Sequence, residues 1–167
     1  VKAIKNRVMM FESYGQSKNI EIHFKSNLSK FVTAIDETLI DKVVDNLISN
    51  AIKYSNPDSH VNVSLNCTEH RWVLEVQDFG IGISKKAQRQ LFKEYYRAEN
   101  VVNSKIVGSG IGLLLVKNYV NLHGGRINCL SQLNEGSTFQ VLIPTKALNE
   151  EPVERANTQQ KGLQVPV

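Results

Sequence analysis

The chain has 167 residues, 41% apolar and 22% charged, the balance of a globular domain with a full core rather than of a disordered segment. No run approaches the ~20 apolar residues of a membrane span, and the start lacks the charged and apolar regions of a signal peptide. The net charge of +4 is mild and scattered, so neither a nucleic-acid partner nor direct membrane contact is expected. Cys67 and Cys129 stand in no CxxC and near no His at metal spacing, which reads as two reduced thiols in a cytoplasmic protein without zinc. Triplets beginning at Asn27, Asn62 and Asn66 match the glycosylation pattern by chance in that setting.

Residues 1–17 read as a helix, with Val1, Ile4, Val8 and Phe11 on one stripe and Met9 and Met10 beyond it. Ile20, Ile22 and Phe24 alternate with polar residues as a half-buried strand, and Phe31 to Ile35 reads as its short partner. Asp36 is a candidate cap for the next helix, with Thr38 and Asp41 as rival starts. That helix runs to about Tyr54, where Ser55-Asn56-Pro57-Asp58 stops it. Strands near 60–67 and 71–77 form a hairpin across Thr68-Glu69-His70. A short helix follows Ser84 to about Phe92, residues 95–109 lack periodicity, and a helix over 112–122 ends at Gly124-Gly125. Strands near 126–131 and 138–143 close the pattern at Pro144, and 146–167 reads as a polar linker or tail. This order predicts an α+β fold, a mixed, mostly antiparallel β-sheet with helices on one face.

Six of the ten glycines fall in three short motifs, Asp78-Phe79-Gly80-Ile81-Gly82, Gly108-Ser109-Gly110-Ile111-Gly112 and Gly136-Ser137-Thr138. Glycine lets backbone approach a ligand closely. No P-loop is present, and GxGxG is not the dinucleotide-binding spacing. The second motif opens a helix whose amides and dipole suit phosphate oxygens. On the central helix Asn46, Asn50, Lys53 and Tyr54 share one face. Two amide oxygens there suit Mg²⁺, and Lys53 suits phosphate; a solvated polar face is the alternative. Asp78 ends an apolar strand, where its carboxylate can accept from an amino group such as adenine's or simply begin a turn.

Five motifs in this order resemble those of the ATP-binding domain of sensor histidine kinases, part of the superfamily shared with gyrase, Hsp90 and the MutL repair ATPases. Asp45 to Ser55 resembles the N box, Asp78 to Gly82 the first glycine box, and Leu91 to Asn100 the F box. Gly108 to Gly112 and Gly136 to Phe139 resemble the second and third glycine boxes. Glu94 and Tyr95 depart from the F-box pattern, where Pro and Phe are usual.

The resemblance implies a two-layer sandwich of the Bergerat type over residues 18–145 that binds ATP and Mg²⁺. Asn50 is then the main metal ligand, supported by Asn46, and Lys53 completes the catalytic set. Lys53 and Tyr54 face the phosphates or ribose. Asp78 binds the adenine amino group, directly and through water near Thr138, and Gly80 and Gly82 let the chain pass close to the base. Residues 95–109 form a lid, hinged at Gly108, Gly110 and Gly112, with Ile111 and Leu113 beside the nucleotide. Phe92, Tyr96 and Arg97 anchor that lid.

Hydrolytic members carry Glu where Asn46 stands; an amide is no general base, and Asp45 lies ~100° round the helix. The resemblance therefore implies phosphoryl transfer to a histidine on a separate helical hairpin rather than fast hydrolysis. His23, His60, His70 and His123 occupy strands, strand ends or a helix end, so the acceptor is expected outside this chain. Residues 1–17 are then the end of that hairpin or the joint after it, and 146–167 a tail or the linker to a receiver domain. The implied partners are that hairpin and a response regulator or receiver domain. The full-length protein is free in the cytoplasm or anchored in the membrane. Rival readings are a regulatory module that binds ATP without transfer and a gyrase-like or Hsp90-like ATPase.

Overall fold

The computed structural model describes residues 1–94, 96 and 110–145. Strands Ile20–Ser26 (β1), Ser59–Cys67 (β2), Arg71–Asp78 (β3), Arg126–Gln132 (β4) and Gly136–Pro144 (β5) form one sheet in the order β1-β2-β3-β5-β4. β1 pairs with β2 in parallel and every other pairing is antiparallel. Helices Lys2–Met9 (α1), Glu12–Gln16 (α2), Glu37–Tyr54 (α3), Lys85–Gln88 (α4) and Gly112–Leu122 (α5) accompany it, with the helices on one side. The expected mixed, mostly antiparallel α+β sandwich is the fold observed. Among the described residues no helix is long and apolar enough to cross a membrane.

Register decides which side chains meet the helices. Strand parity puts Cys67 opposite Trp72, Leu65 opposite Leu74 and Val63 opposite Val76, and each of these is buried. The same parity on β5 pairs Trp72 with Ile143, Leu74 with Val141 and Val76 with Phe139. α3 lays Ile40, Val43, Val44, Leu47, Ile48, Ala51 and Ile52 on this layer, a stripe at helical spacing. Asp36 caps the helix by accepting from the Leu39 amide at 3.0 Å, which settles the start against Thr38 and Asp41.

His123 joins α3 to α5. The Asp36 N–H donates to His123 Nε2 at 3.0 Å, so the ring proton sits on Nδ1, which donates to the Tyr119 carbonyl at 2.8 Å. At 7% exposure the ring leaves no room for water to take over. His123→Ala should cost about 1–3 kcal/mol in denaturant unfolding, because the Asp36 amide loses its acceptor. A loss below about 0.5 kcal/mol would show that the bond is replaceable.

Two local expectations are corrected. Residues 1–17 form two helices, with Met10 and Phe11 between them. The apolar stripe survives: Ile4 and Val8 are buried and Val1 and Phe11 pack on the core. The break brings Gly15 against β1, where a Cβ would stand 2.7 Å from the Ile20 carbonyl oxygen. Phe31 to Ile35 is no strand; it is irregular, with Phe31 and Ile35 packed on the core.

Candidate functional site

The polar face of α3 meets the sheet where the apolar layer ends. The next inward pair after Val76 and Phe139 is Asp78 and Ser137. Between that pair and α3 lies a cavity of about 200 Å³. Asn46, Ser49, Asn50, Lys53 and Tyr54 line it from α3, and Gly110, Gly112 and Leu113 from the start of α5. Asp78, Ile81, Gly82, Ser137 and Phe139 form the other end, with Leu91 and Tyr96 at the side. The four residues placed on one helix face, Asn46, Asn50, Lys53 and Tyr54, all reach this cavity.

Asp78 is 4% exposed. Its Oδ1 accepts from the Gly80 amide at 3.1 Å and the Ser137 amide at 3.2 Å. Burial pushes its pKa up to about 6, and the two amide bonds hold it from rising further. Both bonds land on Oδ1, so Oδ2 is unclaimed among the described residues. A buried carboxylate with one satisfied and one unclaimed oxygen is built to accept from a ligand donor.

The two Asn amides differ. Asn46 Nδ2 donates to the Lys42 carbonyl at 2.8 Å, which fixes the amide plane. Its Oδ1 then lies against Gly112, where a Cβ would stand 2.5 Å away. Asn50 lines the cavity, and its side-chain amide has no partner among the described residues. One amide is committed and the other is open.

Residues 35–147 match the profile of the histidine kinase-, DNA gyrase B- and HSP90-like ATPases. The chain belongs to that ATPase family. The sensor histidine kinase WalK of Bacillus subtilis strain 168 is 32% identical over 160 residues, 93% of this chain and 26% of WalK. The circadian input-output histidine kinase CikA of Synechococcus elongatus is 38% identical over 119 residues, 71% of this chain and 16% of CikA. The chain thus spans about a quarter or less of these relatives. The catalytic domain of histidine kinase ThkA shares the fold with a TM-score of 0.76 at 22% identity, covering 87% of this chain and 94% of that one. The mycobacterial sensor histidine kinase MprB also gives 0.76 at 22% identity, covering 88% of this chain and 96% of its own. Both WalK and CikA are histidine kinases by name.

Three of the expected residues are not among those that line the cavity. Thr138 lies on the opposite face of β5, opposite Gln77 and Leu130 and beside His23, Lys25 and Asn62. Alternation along the strand puts it on the face away from the cavity, which Ser137 lines. Gly80 does not line the cavity; its closest approach is to the Tyr54 carbonyl. Ile111 is the residue from which α5 starts and is not among the lining residues. Gly82, Gly110, Gly112, Leu113 and Tyr96 do line it. Phe92 and Tyr96 pack on the core. Arg97, Gly108, most of the 95–109 segment and the 146–167 tail lie outside the described residues.

Sequence reasoning missed Ser49, Ile81, Ile83, Leu91, Ser137 and Phe139 as lining residues, although the inward parity of Val141 and Ile143 was signal enough for the last two. Asp45, the neighbour of Asn46, lies off the cavity. Arg7 on α1 donates to it with Nε at 2.6 Å and with a second guanidinium nitrogen. A carboxylate engaged by both arms of an Arg fork is not available as a base for water in the cavity.

Proposed function

We propose that this domain binds Mg·ATP with the adenine at Asp78 and the phosphates under α3 and the start of α5. Its γ-phosphoryl passes to a histidine on a separate helical hairpin, in two-component signalling. One observation carries this reading: a single cavity has an acceptor carboxylate at one end and an open Asn50 amide at the other. The adenine amino group suits the first, and an oxygen-seeking cation the second.

The donor set fits Mg²⁺. Amide oxygens are hard ligands, and Asn50, supported by the fixed Asn46, is placed to supply them while phosphate and water supply the rest. Among the described residues no three His, Cys, Asp or Glu stand together to hold a metal, so the amides are the protein's contribution. Bound there, Mg²⁺ supplies charge neutralisation to the phosphates. The chain's own part is positioning. Asn50 orients, Lys53 adds positive charge, and the α5 N-terminus turns amides toward anionic oxygens.

Asn46 cannot serve as a general base and Asp45 is held by Arg7, which favours transfer over fast hydrolysis. His123 is bonded at both ring nitrogens, and His23, His60 and His70 lie on or between strands, so the acceptor belongs to another domain. We assign residues 1–17 to the joint after the hairpin and 146–167 to a tail or the linker to a receiver domain. We place the domain in the cytoplasm, in a protein that is free or membrane-anchored.

The test titrates ATP with and without Mg²⁺ and then adds a His-containing hairpin from the full-length protein. Phosphorylation of the hairpin supports the proposal. Binding without transfer favours a regulatory module, and rapid steady-state turnover by the domain alone favours a gyrase-like ATPase. Asn50→Ala should lose at least about tenfold in Mg²⁺-dependent transfer, as expected for an interaction worth more than ~1.4 kcal/mol. Full activity in that variant removes Asn50 from the metal site.

A further inference from the structure

Ser131 on β4 touches three groups, and their chemistry fixes the direction of every proton. The Ile83 amide donates to Ser131 Oγ at 2.8 Å. Ser131 Oγ donates to the Gly136 carbonyl at 2.7 Å. Ser137 Oγ stands 3.0 Å away. A hydroxyl has one proton and two lone pairs. The Gly136 carbonyl can only accept, so the Ser131 proton goes there. The Ile83 amide takes one lone pair. The remaining lone pair accepts the Ser137 proton, and donation runs from Ser137 to Ser131 to Gly136.

Ser137 therefore turns its proton into the sheet and presents lone pairs to the cavity it lines. Opposite it in the β3–β5 register, Asp78 presents Oδ2. The end wall is then made of acceptors alone. A 6-amino purine meets it with two N–H donors; a 6-oxo purine meets it with another acceptor. An unconstrained Ser137 hydroxyl would tolerate both, because it would rotate to donate to an oxo group. Gln88 holds the arrangement in place, its Nε2 donating to the Ile83 carbonyl at 2.7 Å and the Ser131 carbonyl at 2.8 Å.

We propose that Ser131, outside the cavity, is a positioning residue for base selection: by taking the Ser137 proton it makes the site discriminate against 6-oxo purines. The inference rests on the adenine reading of Asp78. Its test is the ratio of dissociation constants for inosine triphosphate and ATP, measured by calorimetry on the full chain with Mg²⁺. Ser131→Ala should lower that ratio roughly three- to tenfold, the loss of one discriminating hydrogen-bond direction. Ser131→Cys, near-isosteric and a poor hydrogen-bonder, should do the same should the Ala variant fold poorly. Ser131→Thr keeps the hydroxyl and should restore the wild-type ratio. In a Ser137→Ala background, Ser131→Ala should add no further change. A ratio unchanged within about twofold while both nucleotides weaken together would reduce Ser131 to a scaffold residue and overturn the proposal. Additive effects of the two alanines would overturn it as well. Equal wild-type affinity for the two nucleotides would instead sink the adenine reading, and with it the role of Ser131.

Discussion

Asp78→Asn should weaken ATP binding by about 1.5–3 kcal/mol, the range for a hydrogen bond to a charged group. The direction of the change is set by the backbone. Two amides, of Gly80 and Ser137, point at Oδ1, so the Asn oxygen must take that place and its NH₂ must face the cavity. A donor then replaces an acceptor where the adenine amino group sits. Inosine triphosphate should lose far less, because its oxo group accepts from the new donor. ATP affinity unchanged within about twofold would remove Asp78 from base recognition.

The same residue carries a pH dependence. With its pKa pushed up to about 6, Asp78 gains a proton just below neutral pH and stops accepting. ATP affinity in the wild type should fall as pH drops through about 6, and the Asn variant should lack that step. The stability effect has the opposite sense. The folded-state pKa lies above the ordinary 3.8, so this contribution is present below that value and is lost as pH rises through about 6. By linkage the loss is about 3 kcal/mol. Without nucleotide at pH 7.5 the Asn variant should melt at or above the wild type, and saturating ATP should reverse the order. A variant that melts lower in both conditions would contradict burial as the cause.

What the sequence made legible was what local chemistry decides. The α3 stripe, the Asp36 cap, the β2–β3 hairpin and the Gly124-Gly125 stop rest on spacing and on single residues, and they stand in the structure. The Asn46-Asn50-Lys53-Tyr54 face was equally readable, because helical spacing alone carries it to the cavity. The misses came from partners distant in sequence. Nothing near Gly15 announces the Ile20 carbonyl that it must pack against. The 31–35 segment reads like a short strand, but in the structure it is irregular, with Phe31 and Ile35 packed on the core. The order of the third glycine motif does not say whether Ser137 or Thr138 faces inward, whereas the parity of Phe139, Val141 and Ile143 turns Ser137 that way. Ser131 has no local signature, since its partners Ile83 and Gly136 come from two other segments.

Gly80 shows the same lesson in its sharpest form, and Gly80→Ala should be among the most damaging single methyl additions. A Cβ there would stand 1.8 Å from the Tyr54 carbonyl oxygen, 2.5 Å from its carbon and 2.9 Å from Ser55 Cα. All three are backbone atoms, so no rotamer change relieves the clash. The contact ties the end of α3 to the loop after β3, through the Ser55–Gly80 bridge and the Ile81 N–H donating to the Tyr54 carbonyl at 3.2 Å. A methyl must therefore separate Lys53 and Tyr54 from Asp78 across the cavity. It must also pull the Gly80 amide from Asp78 Oδ1. The expected cost is about 2–4 kcal/mol in denaturant unfolding, with at least about tenfold weaker ATP binding. Gly124→Ala is the control. Its φ is +69° but nothing lies within 4 Å of the added Cβ, so only backbone strain of about 1–2 kcal/mol remains, and ATP binding should hold. Were the two variants to lose equal stability and both keep full ATP affinity, close approach to Tyr54 would not be what glycine supplies at position 80.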